Sequence, residues 1–115
     1  MNISKDLVAA SAIPLILAIL KDNDSYGYAI IKRVKELSGN ELVWTEGMLY
    51  PVLHRLEEQG LIESYWKGPE EGRQRKYYTL KQEGLKELDI QKMQWDMIHS
   101  TLSKTLEKSN KDEEV

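Results

Sequence analysis

At 115 residues the chain has room for one domain with one core and at most an appendage, so a two-domain enzyme is not expected. Apolar residues make up 41% and charged residues 30%, the balance of an ordinary globular protein, and the absence of cysteine removes thiol catalysis, disulfides and thiolate metal sites together. The net charge of −3 and isoelectric point near 5.4 oppose nucleic-acid binding, so any such role must come from local charge distribution.

Ser4 is placed to cap a first helix whose apolar residues (Leu7, Val8, Ile13, Leu15, Ile16, Leu17, Ile19, Leu20) wrap most of its circumference, the pattern of a buried helix. Pro14 lies inside it and predicts a kink near Ala10 to Pro14. The uncharged run Leu7 to Leu20 is shorter than the about 20 residues a bilayer needs, and the polar run Lys21 to Asp24 follows it instead of a cleavage site. No membrane role is expected, and the cytoplasm is the expected compartment. Asp24 or Ser25 then caps a second helix to about Leu37, with Ile30, Ile31, Val34 and Leu37 inward, Lys32, Arg33 and Lys35 on the other side, and Gly39 as its stop.

Thr45 caps a third helix that runs to Gln59, with Gly60 as the left-handed stop. Pro51 interrupts it early and predicts a distorted first turn. With Leu49, Val52, Leu53 and Leu56 inward, helical geometry turns Gly47, Tyr50, Pro51, His54 and Glu58 outward. Two extended runs, Leu61 to Lys67 and Arg73 to Leu80, joined by Gly68-Pro69-Glu70-Glu71-Gly72, read as a hairpin. Thr79 with Gln82 spells a capping box for a last helix that runs to about Leu106, roughly 40 Å long at 1.5 Å per residue. A body built from the preceding residues has a radius of gyration of only about 12 Å, so the far part of this helix needs another partner.

The fold class is therefore mainly α with a two-stranded β wing: a winged helix-turn-helix over residues 1–79, a dimerisation helix over 80–108 and a flexible tail over 109–115. Leu88, Trp95 and Leu102 recur at coiled-coil spacing with Ile98 and Leu106 beside them, and a second stripe of Ile90, Met93 and Met97 lies alongside. One stripe is assigned to the first helix and the other to a partner subunit, with the assignment left open. Gly84 suggests close packing at the start of this helix.

The candidate DNA-binding residues are those that an outward helix face and a wing tip present. Gly47 admits close backbone approach, Thr45 and Tyr50 offer hydroxyls, and His54 can donate to guanine or phosphate. Arg73, Arg75 and Lys76 cluster at the wing, where cations reach phosphates or the minor groove, and Lys32 with its neighbours extends the same surface. Ser25 and Tyr26 add neutral contacts at a helix start. The plainer alternatives are a half-buried Tyr50, an ordinary surface His54, and a charged strand edge that discourages aggregation. Glu70 and Glu71 sit awkwardly for binding in the wing loop. No nucleophile stands with a base, no carboxylates pair in a pocket-like setting, and no metal-ligand spacing occurs, so no catalytic residue, metal or cofactor is expected.

Tyr26-Gly27-Tyr28-Ala29-Ile30, the run from Gly47 to Glu57, Gly60-Leu61-Ile62 and Arg75-Lys76-Tyr77-Tyr78 occur in one order and spacing. In these the chain resembles the PadR family of bacterial transcription regulators, in particular short members with a single C-terminal helix and multidrug-sensing activity. The resemblance implies a homodimeric repressor on a palindromic operator near its own promoter or that of a neighbouring transporter or detoxification gene. Family members usually carry threonine after the leucine that opens the last helix, where this chain has Lys81, so the cap passes to Thr79. The resemblance also implies that Trp95 lines a pore between subunits and stacks on planar, often cationic, aromatic effectors. Helical geometry would set Asp96 and His99 at the border of such a pocket. From the residues alone Trp95 reads as a large aromatic in a dimer core. A winged-helix protein-interaction module without sequence-specific DNA binding is the alternative function, favoured by the acidic charge.

Overall fold

A computed structural model describes residues 1–113, with side chains through Glu107. Helices α1 (Lys5–Asp22), α2 (Gly27–Leu37) and α3 (Glu46–Glu58) pack with a small antiparallel sheet of β1 (Ser25–Tyr26), β2 (Ile62–Lys67) and β3 (Arg75–Leu80), and α4 (Gln82–Glu113) completes the chain. The Ser4 hydroxyl accepts from the Leu7 N–H at 3.2 Å and the Thr45 hydroxyl from the Met48 N–H at 3.2 Å, so both expected caps are formed. Both α1 and α3 continue as helix through their prolines, Pro14 and Pro51. Gly60 closes α3 in the left-handed region at φ 75°, which a side chain would resist.

The core gathers one stripe from each element: Ile16, Leu17 and Leu20 of α1, Ile30 and Val34 of α2, Leu49, Leu53 and Leu56 of α3, Ile62 and Tyr78 of the sheet, and Leu88 of α4. Each such side chain contributes about 1.5–3 kcal/mol on leaving water. Leu37, expected inward, is 60% exposed, because α2 ends there and its side chain only rims an open hollow that it shares with Leu15, Ala18 and Ile19 of α1.

The sheet differs from the expected two-stranded wing. Its order is β1-β3-β2, and the added strand is Ser25–Tyr26, which pairs Ser25 with Tyr78 and Tyr26 with Tyr77. Neither Asp24 nor Ser25 caps α2: the cap position is Tyr26, with no side-chain bond, because backbone pairing to β3 has claimed Ser25 and Tyr26, and the Asp24 carboxylate accepts from Tyr65 instead. Thr79 is also not a cap. It lies in β3 opposite Glu63, and α4 opens after Lys81, whose carbonyl accepts from the Leu85 N–H at 3.0 Å.

The start of α4 is locked to the hairpin. The Lys81 N–H donates to the Leu61 carbonyl at 3.0 Å, and a Cβ on Gly84 would lie 2.1 Å from that same oxygen. Only a bare Cα fits there. The helix then runs past its expected end near Leu106 to Glu113, through most of the segment expected as a tail; the rest of that segment, Glu114 and Val115, lies outside the described residues. The radius of gyration is 17.6 Å, against about 13 Å for a compact chain of this length, the signature of an element that leaves the body.

Candidate nucleic-acid interface

Helix α3 divides into two faces. Leu49, Leu53 and Leu56 are buried, while Thr45, Gly47, Tyr50, Pro51, His54 and Glu58 are exposed in one strip, as the helical period requires. Tyr50 is 44% exposed, yet it is braced: a Cβ on Gly27 would lie 2.6 Å from its hydroxyl, so the missing side chain of buried Gly27 admits the ring beside the start of α2. His54 Nε2 lies 3.1 Å from a Glu58 carboxylate oxygen one turn on, which orients the imidazole along the exposed strip. Nothing crowds Gly47: the nearest atom to a Cβ there is the Thr45 hydroxyl at 4.0 Å, so its backbone is open to an approaching surface.

The hairpin alternates its side chains between two faces. Ile62, Ser64 and Trp66 pair with Leu80, Tyr78 and Lys76 on the core side. There the Ser64 hydroxyl donates to Glu57 of α3, and the Lys76 ammonium lies 4.0 Å from the same carboxylate group. Burial raises the Tyr78 pKa above its ordinary value, and the nearby Glu57 charge adds to the shift.

On the opposite face Tyr26, Tyr77 and Tyr65 form a row across β1, β3 and β2. Tyr26 and Tyr77 lie 5.2 Å apart at 60°, and Tyr77 stacks on Tyr65 at 5.8 Å and 23°. The Tyr65 hydroxyl donates to Asp24 at 2.6 Å, and this bond to a carboxylate raises the tyrosine pKa. At the other end Arg75 lies over Tyr26, and the Lys67 ammonium is 5.3 Å from the Tyr77 ring centre.

Of the expected DNA-binding residues, Thr45, Gly47, Tyr50 and His54 share the exposed strip of α3. Arg73, in the β2–β3 connection, and Arg75 and Lys76, opening β3, are exposed at the wing; Lys32 is exposed on α2 and Ser25 and Tyr26 are half-buried in β1. Sequence reasoning missed the tyrosine row, Lys67 and Asp24. The period-2 pattern of the hairpin puts Tyr65 and Tyr77 on one face, but a two-residue strand carries no pattern, so nothing local announced Tyr26 as their neighbour.

A cleft of about 860 Å³ runs between α1 and α4, lined by Leu7, Leu15, Leu88, Trp95 and, at its polar edge, Asp89 and Asp96. Trp95 is half-buried in it, while His99 is exposed and does not line it. Leu88 is buried in the protomer's own core. The second stripe lies on the far side of α4 from Leu88, not alongside it: Ile90, Met93 and Met97 are 49%, 72% and 67% exposed, and Ile98, Leu102 and Leu106 are also uncovered.

The family model for the PadR-like transcriptional regulators matches residues 16–90, from α1 into α4. The chain belongs to the PadR family of transcriptional regulators. It is 31% identical over 78 residues to a Lysinibacillus sphaericus protein, covering 68% of this chain and 72% of that one. It is 33% identical over 88 residues to the transcriptional regulator YqjI of Escherichia coli K12, covering 76% of this chain but only 41% of that longer protein. Among solved structures it is similar to a transcriptional regulator from Clostridium thermocellum, with TM-score 0.81, 33% identity and coverage of 89% and 96% of the two chains. A PadR family regulator from Clostridium difficile gives 0.73, 37%, 84% and 98% in the same order. Members of this family are DNA-binding transcription regulators and not enzymes, and they typically dimerise. Among the described residues, no helix is long and apolar enough to cross a membrane.

Proposed function

We propose that the chain is a cytoplasmic repressor of its own gene and of a neighbouring transporter or detoxification gene. It binds a palindromic operator as a homodimer joined through α4. The observation that carries this reading is the division of labour in the fold: α3 and the wing present exposed hydroxyl, imidazole and cationic groups, while α4 leaves the body with apolar residues uncovered. In this reading Tyr50, His54, Gly47 and Thr45 face the groove, and Arg73, Arg75, Lys76 and Lys32 meet phosphates, with Ser25 and Tyr26 at the edge of that surface. Trp95, Ile98 and Leu102 form the dimer contact, and Leu88 anchors the helix from which they project. Half-sites about 34 Å apart match two reading helices held by one rigid dimer.

A mobility shift with the region upstream of the coding sequence, repeated across salt concentrations, tests DNA binding. A band that weakens with salt is expected, and no such band on any palindrome overturns the reading in favour of a protein-interaction module.

The effector of this repressor is a planar aromatic compound, often cationic, that enters the α1–α4 cleft, stacks on Trp95 and lies near Asp96; His99 borders the site only as the dimer closes over it. The cleft's size and its pairing of an indole with carboxylates support this assignment. Binding there would alter the separation of the two reading helices and so release the operator. Planar cationic dyes should quench tryptophan fluorescence in the parent and much less in Trp95→Ala. Equal binding by both removes the stacking role.

A further inference from the structure

We propose that Tyr26 is a positioning residue for Arg75, holding its guanidinium in place at the loop end of the wing, with no carboxylate to offset its charge, for contact with a DNA phosphate. The proposal rests on the DNA-binding reading above. The Arg75 guanidinium carbon lies 4.6 Å from the Tyr26 ring centre, and its Nη1 donates to the Tyr26 hydroxyl at 2.8 Å. One N–H of the planar fork is thereby engaged and the others stay free for a phosphate.

The chemistry of the partner matters. A carboxylate at this place would fix the arginine but offset its charge, whereas a phenol orients it and leaves the charge whole. Lys76, the next residue, shows the contrast, with its ammonium 4.0 Å from Glu57. Asp24, the acid of the tyrosine row, accepts instead from Tyr65 at the other end. Among the described residues Arg75 has no carboxylate partner.

Tyr26 is itself held. Its backbone pairs with Tyr77 across β1 and β3, and its ring packs on the Tyr77 ring, which stacks on Tyr65. The next residue is Gly27, whose bare Cα receives the ring of Tyr50 from the reading helix. Two successive residues therefore hold a wing cation and a reading-helix aromatic in one frame. A guanidinium already fixed there loses less side-chain freedom when it meets a phosphate.

A double-mutant cycle on DNA affinity tests this, with the upstream duplex as probe and anisotropy measured over a range of potassium chloride concentrations. Arg75→Gln should weaken binding and lower the slope of log affinity against log salt by about one. Tyr26→Phe, which keeps the ring, should weaken binding on the order of threefold to tenfold in the parent and have no further effect in the Arg75→Gln background. Tyr26→Leu should give a larger loss that is likewise absent once Arg75 is gone. An equal loss in both backgrounds means that Tyr26 acts on DNA or the fold by itself, and no loss in the parent means that it does nothing for Arg75; either overturns the proposal. Absence of salt-dependent binding by the unaltered protein would overturn the DNA-binding reading and this proposal together, whereas parent binding with additive variants overturns the positioning role alone.

Discussion

The two ends of α4 obey different rules although one helical period runs through both. At its start, Gly84 sits against the Leu61 carbonyl and Leu88 is 8% exposed in the core. Farther on, Met93, Ile98 and Leu102 are more than half exposed. The near end is anchored by hairpin and core, and the far end has outrun the surface that the same chain can supply. An apolar stripe thus marks what a helix must bury, and the length of the body decides whether its own chain or another covers it.

The largest effect is expected at the anchor. Gly84→Ala forces a methyl group onto the Leu61 oxygen and should cost on the order of 3 kcal/mol or more, read as a lowered thermal midpoint. A midpoint equal to the parent's would show that the helix start is free to move off the hairpin.

Leucines from the two ends sharpen the contrast further. Leu88→Ala should cost about 2–4 kcal/mol of stability at any protein concentration. Leu102→Ala should leave the folding of the body nearly untouched and weaken self-association by about tenfold in sedimentation experiments, about 1.4 kcal/mol. Equal loss of stability in both would erase the distinction between the two ends.

The smallest effect concerns the anchored body alone. Tyr78 has its pKa raised above 10.0 by burial and by the Glu57 charge, so the fold favours the neutral phenol. The stability this contributes is fully present below the unfolded value near 10 and is lost as pH rises through the higher folded value. Tyr78→Phe should therefore flatten the alkaline decline of the unfolding midpoint. An unchanged decline would mean that Tyr78 does not couple to it.

Much of this molecule is determined by local sequence. The caps Ser4 and Thr45, the stop at Gly60, the inward leucines of α3 and the alternation in β2 and β3 each follow from the chemistry of a few neighbouring residues. For the same reason Thr45, Gly47, Tyr50 and His54 were legible as one exposed strip. Tertiary structure decided what depends on residues far apart in the chain. Ser25 and Tyr26 became a strand because β3 offered an unpaired edge, and Thr79 lost its capping role because β3 continues through it. The same long-range pairing brought Tyr26 to Arg75, and the packing of α4 on α1 sent Leu88 inward and left Ile90, Met93 and Met97 on the opposite side. A short strand has too few residues to carry a pattern, and a helix with two apolar stripes presents the same periodicity whichever neighbour it meets. In both places only the packed neighbour chose.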